Sequence, residues 1–344
     1  RLRARAVVLC SAVEHTRRSS MWLSAIPVLV GRLLVQVPCP RPPIFGSKKV
    51  SVDTSALSEF TGIEYVEIDD LVAVVHEDPE LADKAMKRLN VKWKSPDLKV
   101  DQDTIFAYLE DQIKESKVFE EGGSLKNGRA NSKIYLEGKY VDGYKAHACM
   151  ETHAATCYFE GDKLTMWVST QTPFGTRSQV AKELNMPEEK VHVKQIFLGG
   201  GFGGKGFNSQ AVEAALIAKK IGKPVQLAFT RKEEFFYNRF RTAALINVGA
   251  GVDEKGKLTA WDFDIYCAGT RGTNLFYDIS NNRTRMFNKD GVHPFGTGAW
   301  RAPGNNTTTF ARESHIDVMA HAAGIDPYEF RMNNLKDQNM VATL

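Results

Sequence analysis

Leu198 to Gly206 reads LGGGFGGKG, six glycines around one phenylalanine and one lysine, directly after the apolar run VHVKQIF. Glycine reaches positive φ at no steric cost and carries no Cβ, so such a loop brings backbone N–H groups close to an anionic oxygen. Two phosphate patterns nearly fit. Gly199-x4-Gly204-Lys205 follows most of GxxxxGK[ST], but Gly206 stands where the magnesium-ligating hydroxyl belongs. Gly199, Gly201 and Gly204 satisfy GxGxxG, and a strand–loop–helix–strand order surrounds them. Yet Lys205 to Asn208 intervene before the apolar helix pattern, whereas a dinucleotide site needs the helix to begin inside the motif. The next strand, PVQLAFT, ends in Thr230, Arg231 and Lys232 instead of an acid for the ribose. That end suits a 2′-phosphate, so an NADP-linked Rossmann dehydrogenase stays in contention.

Other residues carry chemistry by type. His147, Cys149, Glu151 and His153 alternate, and a strand would turn all four to one face. Imidazole, thiolate and carboxylate suit zinc; a half-buried strand lining a pocket has the same pattern. Lys205 meets a phosphate or is solvated. Arg271 in AGTRG and Tyr277 in FYD are candidates for the border of a substrate funnel, although an arginine between glycines also serves as a loop ion pair. The five cysteines are scattered without a CxxC pair, which argues against an iron–sulfur cluster, a zinc ribbon or a disulfide framework in this chain. Reduced cysteines point to the cytoplasm.

The elements that position these residues follow from pattern. The 344 residues, 43% hydrophobic and 25% charged, are those of a globular protein with room for two or three domains. A net charge of +4 is too small for nucleic-acid binding, and residues 1–46 supply much of it with seven arginines against Glu14. That leader has an apolar run after paired arginines, but Pro27 and Arg32 interrupt it and no small-residue cleavage site follows, so a periplasmic address is weakly signalled. The leader is expected to be non-native or disordered, to pack poorly and to be removable. Residues 47–125 read as a small α+β domain, with Asp78 and Pro79 opening a helix. Lys114 to Ser132 reads as a linker. Residues 126–344 read as long, mostly antiparallel strands with helices closed by Gly222 and Gly324, and a last helix opened by a capping box at Asp326 and Glu329.

HACMETHAATCYFEGDKLTMWVSTQTP, LGGGFGGKG and GAWRAPGN stand in that order. With them the chain, from about Arg41 to its last residue, resembles the molybdenum-binding subunit of the xanthine dehydrogenase/aldehyde oxidase family, nearest the isoquinoline 1-oxidoreductase β-subunit branch. The resemblance implies an α+β fold, a small a/b hammerhead-like domain followed by the first part of a molybdopterin-binding domain. It implies a molybdopterin cofactor, in its plain or cytosine dinucleotide form, and hydroxylation of an aldehyde or N-heterocycle with water as the oxygen source. By resemblance, Gln171 hydrogen-bonds an oxygen ligand of molybdenum, Phe202 and Gly203 present backbone N–H groups beside the apical oxygen, and Gly201 and Gly204 belong to the same cofactor-binding loop. Arg301 sits with its backbone near the pterin, Pro303 replaces a phenylalanine of purine oxidases, and no side chain ligates the metal directly. Gly206 replaces a glutamate that contacts purines, which counts against xanthine. The family's glutamate base lies beyond Leu344, and electrons leave through a separate [2Fe–2S] subunit. The chain alone is thus expected to be inactive, its pocket closed by a later half of the subunit; a non-catalytic fragment or assembly subunit is the other reading. If one cofactor is served, the loop lies against Gln171 and Arg301 and precedes a helix near Ser209.

Overall fold

The computed structural model describes residues 35–97 and 100–344. The first 34 residues, most of the arginine-rich leader, lie outside the described residues. The chain opens with β1 (Val35–Gln36), β2 (Lys48–Asp53), β3 (Glu64–Ile68), β4 (Leu71–Val75), helix α1 (Pro79–Arg88) and β5 (Asn90–Lys94). Next come α2 (Ile105–Gln112), β6 (Lys117–Gly122), α3 (Leu125–Ala130) and β7 (Ile134–Asp142). The glycine loop belongs to the run β8 (Ala154–Glu160), β9 (Lys163–Val168), α4 (Pro173–Glu183), β10 (Val191–Gln195), α5 (Ser209–Ile221), β11 (Val225–Ala228) and α6 (Arg231–Tyr237). The last run is β12 (Ala244–Val252), β13 (Leu258–Tyr266), β14 (Asn282–Phe287), α7 (Asn305–Ala323), α8 (Pro327–Asn334) and α9 (Gln338–Thr343).

These elements form two compact units, each assembled from separate stretches. One takes the described residues up to Asp97 and Ala146–Arg239; the other takes residues 100–145 and Phe240–Leu344. The division therefore differs from the expected cuts at 46 and 125. A continuous reading of the sequence misses it because strand pairing joins distant stretches.

In the first unit β1, β11, β8, β9 and β10 lie side by side, with β1–β11 and β9–β10 parallel and the other pairs antiparallel. β8 is buried over Ala154–Tyr158 because it is central. α5 presents Ala211, Ala214, Ala215 and Ala218 to the core, the i, i+3, i+4, i+7 stripe of a helix packed on a sheet. Small residues on that stripe let the helix approach closely, and Gly222 at φ 68 closes it. In the second unit β6, β14, β13, β12 and β7 form a mixed sheet whose core includes Ile246, Trp261, Phe263 and α7 residues Ile316 and Met319.

Several local expectations need correction. Residues 35–46 are part of the fold: β1 pairs with β11, and Val35, Val37 and Cys39 are buried. Lys114 to Ser132 is no linker, since it holds edge strand β6, paired with β14, and the Ser124-capped α3. An edge strand turns charged side chains to water, so its composition imitates a linker. The sheets are mixed instead of mostly antiparallel, with three parallel pairs. His147 to His153 precedes β8 as irregular chain, and Ala148 has φ 50. Asp326 caps α8 through the Tyr328 and Glu329 N–H groups, while the reciprocal capping box occurs at Thr230 and Glu233.

Candidate functional site

The glycine loop links β10 to α5, which begins at Ser209 as expected. Gly203 takes φ 107 and Phe202 φ 53, and the Phe202 side chain is exposed. Gln171 lies against this turn: its Oε1 accepts the Gly203 N–H at 3.0 Å, and its own N–H donates to the Lys205 carbonyl at 2.8 Å. A Cβ at Gly201 would stand 2.5 Å from Gln171 Oε1; one at Gly199, 2.5 Å from Glu151 Cβ; one at Gly204, 2.7 Å from His147 Cγ. Glycine is therefore required by close approach of protein side chains to the loop. Thr170 Oγ1, buried behind Gln171, meets Thr176 Oγ1 at 2.9 Å and accepts from Asn208 Nδ2 at 2.9 Å. The N–H groups of Gly200 and Gly201 meet no acceptor among the described residues.

Beneath the loop lies a layer of buried polar groups that sequence reasoning only half found. The alternation at His147, Cys149, Glu151 and His153 is visible in the sequence, and all four are buried, but without a strand between them. Glu151, expected on that strand, instead holds the loop. Its Oε2 accepts Lys205 Nζ at 2.9 Å and also the Gly199 N–H. Lys205 is 0% exposed, so it is neither solvated nor reaching for a phosphate. Cys149 Sγ donates to the Gly201 carbonyl at 3.4 Å, and burial pushes its thiol up from its ordinary value. His153 Nδ1 lies 2.9 Å from Glu234 Oε2, and the His153 N–H donates to the same oxygen at 2.9 Å. Burial pushes Glu234 up, yet the hydrogen bonds and charge of His153 outweigh it and hold the carboxyl below its usual value. Among the described residues no group of three or more His, Cys, Asp or Glu is arranged to hold a metal ion.

The third motif lies in the second unit. Trp300-Arg301-Ala302-Pro303-Gly304 leads into α7, with Ala302 at φ 54 and Gly304 at φ 78. Arg301 is exposed and its guanidinium lies 6.0 Å from the Trp300 ring centre. Arg271 is the neighbour of this turn: a Cβ at Gly304 would be 3.2 Å from Arg271 Cβ, and the Arg271 carbonyl accepts from Thr308 Oγ1 at 2.9 Å. Tyr277 is buried and donates to Glu313 Oε2 at 2.8 Å, so it does not border an opening. Glu313 is engaged further by Arg312 Nε at 2.9 Å and Arg331 Nη2 at 3.1 Å.

The topology decides against the dinucleotide reading. β10 and β11, the strands flanking the loop and α5, have β8 and β9 between them, and β11 pairs antiparallel with β8. A Rossmann unit instead places successive parallel strands in an all-parallel sheet.

The first unit is thus a mixed sheet with helices whose glycine turn is clasped by its own side chains. The model of the molybdopterin cofactor-binding domain matches residues 109–335, and the chain belongs to that family. Among curated proteins it is 33% identical over 222 residues to the aldehyde oxidoreductase molybdenum-binding subunit PaoC of Escherichia coli (strain K12), covering 62% of this chain and 30% of that protein. It is 26% identical over 286 residues to the xanthine dehydrogenase molybdenum-binding subunit of Escherichia coli O157:H7, covering 77% and 38%. The chain thus spans well under half the length of these relatives. Its fold superimposes on the aldehyde oxidoreductase from Desulfovibrio gigas with a TM-score of 0.77 at 18% identity, over 89% of this chain and 40% of that one. The comparisons support the family and single out no isoquinoline 1-oxidoreductase branch.

Proposed function

We propose that this chain is the cofactor-cradling part of a molybdenum oxidoreductase that hydroxylates aldehydes or N-heterocycles. The observation that carries the reading is the turn at Gly199–Gly204, where glycines are demanded by close neighbours and the Gly200 and Gly201 N–H groups are available as donors. Such a turn fits an oxygen-rich, anionic group, since backbone N–H donors without a Cβ beside them can approach its oxygens closely. Gln171, Gly201, Phe202, Gly203, Gly204 and Arg301 would hold a molybdopterin cofactor, in its plain or cytosine dinucleotide form. When bound, the cofactor supplies two-electron redox chemistry and water-derived oxygen. The residues of this chain bind and orient it: Gln171 offers its amide beside the turn, and Arg271 and Pro303 flank Arg301 in the second unit.

Glu151 and Glu313 are not available as a catalytic base. Glu151 is buried in an ion pair, and Glu313 is engaged by Tyr277, Arg312 and Arg331. On this reading the catalytic base and the rest of the pocket lie on further polypeptide of the subunit, in keeping with the 30–38% of the curated relatives' length that this chain spans, and a separate [2Fe–2S] subunit takes the electrons. We place the assembly in the cytoplasm, consistent with the unpaired thiols of Cys39, Cys149, Cys157 and Cys267.

The test is expression in a host that makes molybdenum cofactor, followed by metal and pterin analysis of the purified chain. Molybdenum and a pterin retained together, with no aldehyde-dependent dye reduction until the remaining subunits are added, are expected. A chain that retains neither, or that instead carries a nicotinamide nucleotide, overturns the reading.

A further inference from the structure

The geometry points to Glu151 as the positioning residue that closes the glycine loop into its cofactor-ready shape, with Lys205 as its partner; the inference rests on the cofactor reading above. The loop leaves β10 and reaches its far end at Lys205, and both ends meet on one carboxylate oxygen. Glu151 Oε2 accepts the Gly199 N–H at the start of the loop and the Lys205 ammonium at its end, the latter at 2.9 Å. The Glu151 N–H donates back to the Gly199 carbonyl at 3.1 Å, so Glu151 grips Gly199 from both sides. Lys205 transmits the closure onward. Its backbone carbonyl accepts the Gln171 N–H at 2.8 Å and a weaker contact from Thr170 Oγ1 at 3.4 Å. Displacing Lys205 therefore moves Gln171, whose Oε1 fixes the Gly203 N–H.

An ion pair in this place is unfavourable as a source of stability alone, because desolvating two charges offsets much of their attraction. A neutral pair of similar volume would hold the core as well. What the charged pair adds is direction: a short charge-assisted contact to one oxygen fixes where the two loop ends lie.

The experiment separates positioning from bulk stability by the double variant Glu151→Gln/Lys205→Met in the full chain. It removes both charges while keeping volume and an acceptor for Gly199. The single variant Glu151→Gln leaves the buried ammonium unpaired and is expected to lose stability. The double variant is expected to recover the wild-type Tm, yet to retain molybdenum about 10- to 100-fold less tightly, as removal of an outer partner typically does. Hydrogen exchange of residues 199–206 in the cofactor-free protein is the second readout, expected to be at least about tenfold faster in the double variant, the factor that corresponds to losing roughly one charged hydrogen bond. A double variant with wild-type exchange and wild-type molybdenum retention overturns the inference while leaving the cofactor reading intact. A wild-type chain that retains no molybdenum overturns the cofactor reading, and the exchange comparison still decides whether Glu151 closes the loop.

Discussion

Gly201 and Gly206 sit five residues apart in one loop and should respond to the same substitution in opposite ways. A methyl group at Gly201 would meet Gln171 Oε1 at 2.5 Å and Cδ at 2.6 Å, whereas one at Gly206 would meet nothing within 4 Å. Overpacking of this kind typically costs about 1–3 kcal/mol, less than the stability of an ordinary domain. Gly201→Ala should therefore fold but displace Gln171, and with it the Gly203 N–H. Molybdenum content of the purified variants checks this: Gly201→Ala is expected to fall to a small fraction of wild type, and Gly206→Ala to match it. Equal content in both variants would show that the close approach of Gln171 to the loop is irrelevant to cofactor retention. The glycine loop was legible in the sequence because backbone demands leave a local trace, whereas Gln171 and Arg301 were singled out only through the family resemblance of their motifs. The Glu151–Lys205 pair was not legible, since the partners are 54 positions apart and alternation shows burial without naming the partner.

At the scale of elements, β1 and the segment after it were the largest misreading. Arginine-rich composition suggested a removable leader, but Arg41 is drawn into the fold by acids on two helices that no local pattern associates with it. Its Nη1 and Nη2 donate to the two Glu213 carboxylate oxygens on α5 at 2.8 and 2.7 Å, and its Nε donates to Glu233 on α6 at 2.9 Å. The guanidinium also lies 5.0 Å from the Phe229 ring centre and 5.1 Å from that of Tyr237. Burial opposes its charge, but Glu213 and Glu233 outweigh that and hold its pKa well above the ordinary value. Breaking a buried pair from one side costs about 3–5 kcal/mol because the other charge stays behind. Arg41→Met is accordingly expected to lower Tm by on the order of 10 °C in a thermal melt, and Arg41→Met/Glu213→Gln to recover part of it. A single variant melting within about a degree of wild type would show that the Arg41 ion pairs do not hold this segment in place. Capped helices, by contrast, were readable: Asp78 accepts from the Glu80 N–H at 2.8 Å as its position before Pro79 implied.

Stability against acid is a property of the whole molecule, and the buried imidazoles set where it begins to fail. His315 on α7 lies in the core of the second unit, its Nδ1 3.0 Å from the Tyr140 hydroxyl and its ring edge-on to Trp261. Burial lowers its pKa from 6.5 to about 4. Above pH 6.5 the ring is neutral in the folded and unfolded chain alike, and its titration costs nothing. As pH falls from 6.5 towards 4, the unfolded chain takes up a proton that the native state refuses, so stability falls. A depression of that size corresponds to at most about 3 kcal/mol, reached once pH lies below the folded value. His293 is lowered by burial in the same sense and adds to the loss. Glu234 contributes later, because a carboxyl held below its ordinary value of 4.5 stabilises above that pH and loses its contribution as pH drops through the folded value. The order of events is therefore imidazoles first, carboxylates second. Urea unfolding at pH 7.5, 6.5, 5.5 and 5 checks it, comparing wild type with His315→Gln, which keeps an acceptor for Tyr140 but cannot titrate. Wild type is expected to lose roughly 1–2 kcal/mol between pH 6.5 and 5, and His315→Gln to lose distinctly less over the same interval. Identical slopes in the two proteins would mean that His315 accepts its proton as readily folded as unfolded, and would assign the acid sensitivity of this window to other groups.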